Sequence, residues 1–182
     1  MASVLGISGS LRADSLHTEL LRLAAEELPE SSSLAVWDGL REIPPYDADD
    51  EADLPAGVRS FVEALESADA VVFSSPEYNG SVPGQLKNAI DWASRKASGL
   101  PLQGKPVLVI GGSPGQFGAL WGHADLRKVL GIAGAKSVEG ELSIPRLDQA
   151  LADPTAELRS ELRTVLAGLV AVAEERALAA AA

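Results

Sequence analysis

Three short stretches gather the residues that could hold a ligand. Residues 6–15 read GISGSLRADS: an apolar run, a glycine- and serine-rich turn, an arginine and then the opening of a helix. A helix N-terminus carries unpaired N–H groups and partial positive charge, so a turn of this kind suits an anion. The triphosphate loop G-x-x-x-x-G-K-[ST] is excluded because no lysine follows Gly9. The dinucleotide fingerprint G-x-G-x-x-G is excluded too, since Gly6 and Gly9 are wrongly spaced and no third glycine opens the helix. What remains is hydroxyl-rich. Ser8, Ser10 and Ser15 can donate to an oxyanion, and Arg12 can add a charge-assisted fork. That set suits one terminal phosphate monoester; a tight turn with a serine N-cap is the structural alternative.

The second stretch, SSPEYNGSVPG at residues 74–84, combines two prolines, two glycines and an asparagine. Proline fixes φ and glycine allows close backbone approach, so such a loop can present amides edge-on to a planar polar heterocycle. Tyr78 would supply an aromatic wall. The alternative is an ordinary strand-to-helix turn with Pro83 starting the helix. The third stretch, GGSPG at residues 111–115, is another permissive turn.

The elements that must carry these turns are legible from periodicity. Residues 3–8, 34–37, 70–74 and 106–110 are short, apolar, largely β-branched runs bounded by turn residues, and predict buried strands. A weaker fifth strand is expected near 136–142. Helical patterns fall at 15–27, 56–67, 83–95 and 119–133. A last helix is expected to start at Asp153-Pro154, with Asp as N-cap and Pro at the first helical position. Its apolar face holds Leu158, Leu162, Val165, Leu166, Leu169 and Val172, and its tail over about 176–182 is expected to fray. Strands alternating with helices imply right-handed βαβ units, hence an α/β fold. The expected architecture is a doubly wound five-stranded parallel sheet, order 2-1-3-4-5, with helices on both faces, in one domain over 1–182. In that order ligands bind at the carboxyl ends of strands 1 and 3. The acidic segment YDADDEAD at 46–53 is expected to be a solvated loop.

Composition narrows the partners. The 182 residues carry 15 basic and 26 acidic side chains, a formal charge of −11, which argues against nucleic acid and anionic membranes. There is no cysteine, which excludes disulfides, thiolate catalysis and Cys-ligated metal. The N-terminus lacks a basic region ahead of a signal-length apolar run, and no stretch reaches the ~20 apolar residues of a membrane helix. A cytoplasmic location is therefore expected.

All three permissive turns thus fall at carboxyl ends of neighbouring strands. A phosphate site at one end and a flat ring at the other describe a mononucleotide with a large heterocycle, and flavin mononucleotide (FMN) fits best. With those residues in view, the chain resembles the NADPH-dependent FMN reductase family, especially its quinone and chromate reductase branch. G-S-L-R-x-x-S at 9–15 and P-E-Y-N-x-S-x-P-G-x-L-K-N-A-I-D-W at 76–92 stand intact, beside IPPYDAD at 43–49 and GKPV at 104–107. The resemblance implies a flavodoxin-like fold, bound FMN, and homodimers or dimers of dimers. It implies reduction of quinones, azo or nitro compounds, chromate or free flavin by NADPH or NADH. By the same resemblance Ser10, Arg12 and Ser15 would hold the phosphate. Pro76, Glu77, Tyr78 and Asn79 would line the isoalloxazine, with Ser113 nearby; Leu11, His17 and Gly80 complete the expected cofactor-binding set. No catalytic side chain is expected, because the flavin carries the chemistry.

Two positions depart from the family. His17 stands where asparagine is common, and is expected as an imidazolium beside the phosphate or, alternatively, as a solvated helix residue. Trp121 and Ala124 replace an arginine and a tyrosine that join dimers in some members, so a dimer is expected and a tetramer is not. His123 is expected on the surface of the fourth helix. The two histidines have no spaced metal-ligand partner and make no Ser-His-Asp arrangement. Trp37, Trp92 and Trp121 are expected to pack rather than stack on flavin, with a subunit interface as the alternative for Trp121. Two function classes fit: an NAD(P)H oxidoreductase acting on a small acceptor, and a flavodoxin-like electron carrier whose negative charge suits basic protein partners.

Overall fold

A computed structural model describes residues 1–140 and 142–181. Strands β1 (Ala2–Ser8), β2 (Ser32–Trp37), β3 (Ala70–Ser74) and β4 (Pro106–Ser113) run parallel in the order β2-β1-β3-β4, and β5 (Lys136–Ser137) continues the sheet beyond β4. A further segment, β6 (Leu142–Pro145), also pairs with β4, against Ile110 to Ser113. The expected five-stranded order 2-1-3-4-5 is therefore present. Its last strand is broken in two, with Gly140 at φ +98 between the pieces and Glu141 outside the described residues. A glycine in that conformation takes the chain out of a regular ladder.

Both faces of the sheet are covered, as apolar runs without polar alternation require. Alternate side chains point to opposite faces. Leu5, Ile7, Val71, Phe73, Val107 and Val109 pack against α2 (Ala56–Ser67), α3 (Gly84–Ala93) and α4 (Leu120–Ile132). Val4, Val72, Leu108 and Ile110 pack against α1 (Leu16–Glu26), α5 (Leu147–Ala152) and α6 (Ala156–Ala181). Trp92 is fully buried and its Nε1 donates to Pro44 O at 3.0 Å; Trp37 packs on Phe61 with ring centroids 4.8 Å apart. Much of the motif at 76–92 fastens the neighbouring segment. Gln85 donates to Leu40 O and Ile43 O, and Asn88 donates to Pro44 O while accepting from Tyr46 N.

The last helices differ from expectation. Asp153 ends the short helix α5 instead of opening a long one, and α6 begins at Ala156. Thr155 Oγ1 accepts from Leu158 N, so a threonine hydroxyl supplies the cap. The tail stays helical through Ala181, and Ala182 lies outside the described residues. The acidic stretch is a loop containing a 3-10 turn (Ala48–Ala52), with Asp47 capping Asp49 N. No helix among the described residues is long and apolar enough to cross a membrane.

Candidate functional site

The site is built at the carboxyl ends of β1, β3 and β4: β1 and β3 end level, Ser8 pairing with Ser74, while β4 runs past Ile110, the partner of Ser74, to Ser113. After β1 the chain turns sharply: Gly9 N donates to Ser74 O at 2.8 Å. A Cβ on Gly9 would stand 3.0 Å from Ser75 Oγ and 3.1 Å from Leu86, so glycine lets the two loops touch. Ser15 caps α1, its Oγ accepting from His17 N at 3.2 Å. The serine N-cap and the hydroxyl cluster therefore coexist: Ser15 Oγ accepts from His17 N and also lies 3.4 Å from Ser8 Oγ. The backbone amides of Leu11, Ala13, Asp14, Ser15 and Leu16 have no acceptor among the described residues. Arg12 is exposed at the rim, and Arg41 anchors the loop by donating to Leu11 O at 2.6 Å.

Beyond β3, Asn79 (φ +52) and Gly80 (φ +75) make a tight reversal, with Tyr78 and Ser81 exchanging both backbone hydrogen bonds at 3.1 Å. Asn-Gly is the pair such a mirror-image turn favours. The turn holds Tyr78 half exposed. Glu77 faces the other way: its Oε2 accepts from Gly122 N at 2.8 Å. That carboxylate caps the first turn of α4, whose own N-cap residue, Ala119, offers no side chain for the purpose. Ser81 Oγ also donates to Asp125, a second tie from this loop to α4. The amides of Glu77, Asn79 and Gly80 have no acceptor among the described residues.

Both histidines are more buried than expected. His123 is fully buried, not on the surface: Nε2 is 2.9 Å from Ser75 O and Nδ1 is 2.8 Å from Ser143 Oγ. A carbonyl only accepts, so Nε2 carries the proton and, in the neutral ring, Nδ1 accepts from Ser143. Burial lowers its pKa, against an upward pull from the Ser75 carbonyl. His17 is only 5% exposed, with Nδ1 3.1 Å from Ser74 Oγ. Burial, with His123 nearby, lowers its pKa to about 3. It is a neutral floor residue, neither the imidazolium nor the solvated helix residue expected.

Between β1, β3 and β4 these parts enclose a cleft of about 150 Å³ lined by Ser10, Arg12, Ser15, His17, Pro76, Glu77, Tyr78 and Ser113. Leu11, Asn79 and Gly80 do not line it. Leu16, Gly112, Pro114 and Leu147 do, and were not singled out. Gly112 and Pro114 belong to a turn already marked as permissive, whereas Leu147 comes from α5, an element without a sequence signal. The third turn itself is shorter than expected, because β4 continues through Gly111 and Gly112 to Ser113. A Cβ on Gly112 would lie 2.2 Å from Ile144 O, so these glycines serve strand packing. Among the described residues no cluster of three or more His, Asp or Glu could hold a metal.

The model of the family described as NADPH-dependent FMN reductase matches residues 2–149, which spans the whole cleft and stops short of α6. An NAD(P)H-dependent FMN reductase of Pseudomonas aeruginosa is 44% identical over 128 residues, 70% of this chain and 68% of that protein. The quinone reductase of Escherichia coli is 42% identical over 129 residues, 70% of this chain and 68% of that protein. Among solved structures, the flavoenzyme NAD(P)H:(acceptor) oxidoreductase of Paracoccus denitrificans superposes with a TM-score of 0.87 at 31% identity, covering 96% of this chain and 98% of that one.

Proposed function

The chain belongs to the NADPH-dependent FMN reductase family, and we propose that it is an FMN-dependent NAD(P)H oxidoreductase passing two electrons to a small acceptor. Quinones, free flavin, azo or nitro compounds and chromate are the acceptor class. The observation that carries this reading is the single cleft that joins the hydroxyl-rich β1 loop to the β3 and β4 turns. The donors in and beside the cleft fit FMN: β1-loop amides without an acceptor among the described residues, together with the loop hydroxyls, suit a phosphate, and the amides of Glu77, Asn79 and Gly80, likewise without one, suit the polar edge of a flat ring. Bound FMN would supply the redox chemistry, taking hydride from reduced nicotinamide and returning two electrons to the acceptor.

The protein's own part is binding and orientation. Ser10, Arg12 and the hydroxyl of Ser15 hold the phosphate at the N-terminus of α1, with the Leu11 amide beside them. Pro76 and Tyr78 wall the ring site, Ser113 closes it from β4, and Asn79-Gly80 act through backbone amides. Glu77 spends its carboxylate on α4, so it positions the loop and is no acid–base group. A homodimer belongs to the same reading, supported by the exposed apolar trio Phe117, Leu120 and Trp121 at the start of α4, beside the Glu77 loop. A formal charge of −11 favours a second reading, an electron carrier docking on a basic protein. Steady-state kinetics separates the two. With donor and acceptor using one flavin face in turn, initial-rate plots against both substrates should be parallel. Intersecting lines would reject the shared face, and absence of turnover with small acceptors would favour the carrier.

A further inference from the structure

We propose that Ser74 holds His17 as the Nε2–H tautomer and that His17 donates this hydrogen, as a neutral ring, to a phosphate oxygen of the bound mononucleotide. The proposal rests on the reading of the β1 loop as the phosphate site. It starts from a buried hydroxyl. Ser74 is fully buried, and the one described partner of its Oγ is His17 Nδ1 at 3.1 Å. A buried hydroxyl hydrogen needs an acceptor. Only Nδ1 can serve, so Ser74 donates and the neutral ring carries its hydrogen on Nε2.

That hydrogen has a destination. Nε2 has no hydrogen-bond partner among the described residues, yet it is not a sealed-off buried atom. His17 lines the cleft together with Ser10, Arg12 and Ser15, so the free edge of an otherwise buried ring is the part that reaches it. Charging the ring would turn Nδ1 into a donor and strand the Ser74 hydrogen in the core. The titratable and charged groups around the ring are Arg12 on its loop, Glu77 across the cleft and His123 from α4. Burial opposes a positive charge on the ring most strongly, and His123 adds to that. The phosphate therefore gains a directed donor from a neutral ring.

Binding of FMN and of riboflavin, which lacks the phosphate, tests this by flavin fluorescence quenching in wild type, His17→Phe and His17→Gln. Phenylalanine keeps the ring without a donor, while glutamine can return a neutral N–H near the Nε2 position. His17→Phe should weaken FMN about tenfold or more, the range for a hydrogen bond to a charged group, and leave riboflavin nearly unchanged. His17→Gln should recover most of that loss. A preference for FMN over riboflavin that is undiminished in His17→Phe overturns the proposal alone; a wild type with no such preference, matched by Arg12→Ala, overturns the phosphate reading as well. Should the variants fold poorly, ¹⁵N NMR of the wild-type imidazoles with and without FMN decides. A pyridine-type Nδ1 and a pyrrole-type Nε2 support the assignment, and the reverse tautomer or an imidazolium overturns it.

Discussion

Replacing Gly111 with alanine tests the scaffold beneath the cleft. Gly111 has φ +149, and a Cβ there would lie 2.5 Å from Ser75 O, 2.8 Å from His123 Nε2 and 3.0 Å from Ser75 N. None of these atoms is free to yield. Ser75 O accepts from His123 at 2.9 Å, and Ser75 N donates to Ile110 O at 3.1 Å. Making room breaks the His123 bond and leaves a buried donor unpaired, which costs about 1–3 kcal/mol. The strained backbone adds about 1–3 kcal/mol. For a chain of this size each kcal/mol moves the melting temperature by about 2–4 °C, so Gly111→Ala should melt at least about 5 °C below wild type. Gly131→Ala is the matched control, because no heavy atom lies within 4 Å of its Cβ and helix propensity favours alanine. It should melt within about 2 °C of wild type or above it. Thermal unfolding of the apo proteins, followed by far-UV circular dichroism, reads both. A Gly111→Ala protein that melts with the control would refute the account of how β4, His123 and the β3 turn support one another.

Acid should destabilise the apoprotein through His17. Its pKa falls from 6.5 to about 3 on folding, so the unfolded chain binds the extra proton between those values and stability rises with pH across that window. As pH falls below 6.5, wild type should lose up to about 1.4 kcal/mol per pH unit relative to His17→Gln in urea melts, and parallel pH profiles would refute the buried neutral ring. At the start of α4, Trp121→Asp should shift sedimentation from dimer to monomer, because a charge would replace an anchor that is half exposed in the single chain. A wild-type monomer at all concentrations, or a variant that stays dimeric, would remove Trp121 from the interface.

Strand positions and the βα order were legible because parallel strands covered on both faces are continuous apolar runs, as in AVVFS and PVLVI. Helix starts were legible where capping chemistry is local: Ser15 opens α1 as its spacing implied. The same logic misplaced α6, since Asp153-Pro154 mimics a cap and first turn while the Thr155 hydroxyl performs that role. Helix α5 escaped because Arg146 enters it at φ +49 without a capping side chain, and Leu147 of the cleft went with it. Gly111 and Gly112 looked like a turn. Their reason for being glycine is the close approach of Ser75, His123 and Ile144, contacts that no local window contains. The histidines show the same limit: His17 meets Ser74 across 57 positions, and His123 meets Ser75 across 48. Loop chemistry at Ser10, Arg12 and Tyr78 was visible because those side chains need only a turn and a strand end to reach the cleft. Burial, tautomer and charge needed the fold.

As proposed, this cleft holds FMN and uses it to move electrons from NAD(P)H to a small acceptor. Anaerobic addition of NADPH to the purified protein, reconstituted with FMN where needed, tests it most directly by the visible flavin absorbance. The protein should be yellow and its released flavin FMN; its colour should bleach on addition of NADPH or NADH and return when a quinone is admitted. A protein that does not retain FMN, or whose bound FMN keeps its absorbance in excess NADPH and NADH, would contradict it.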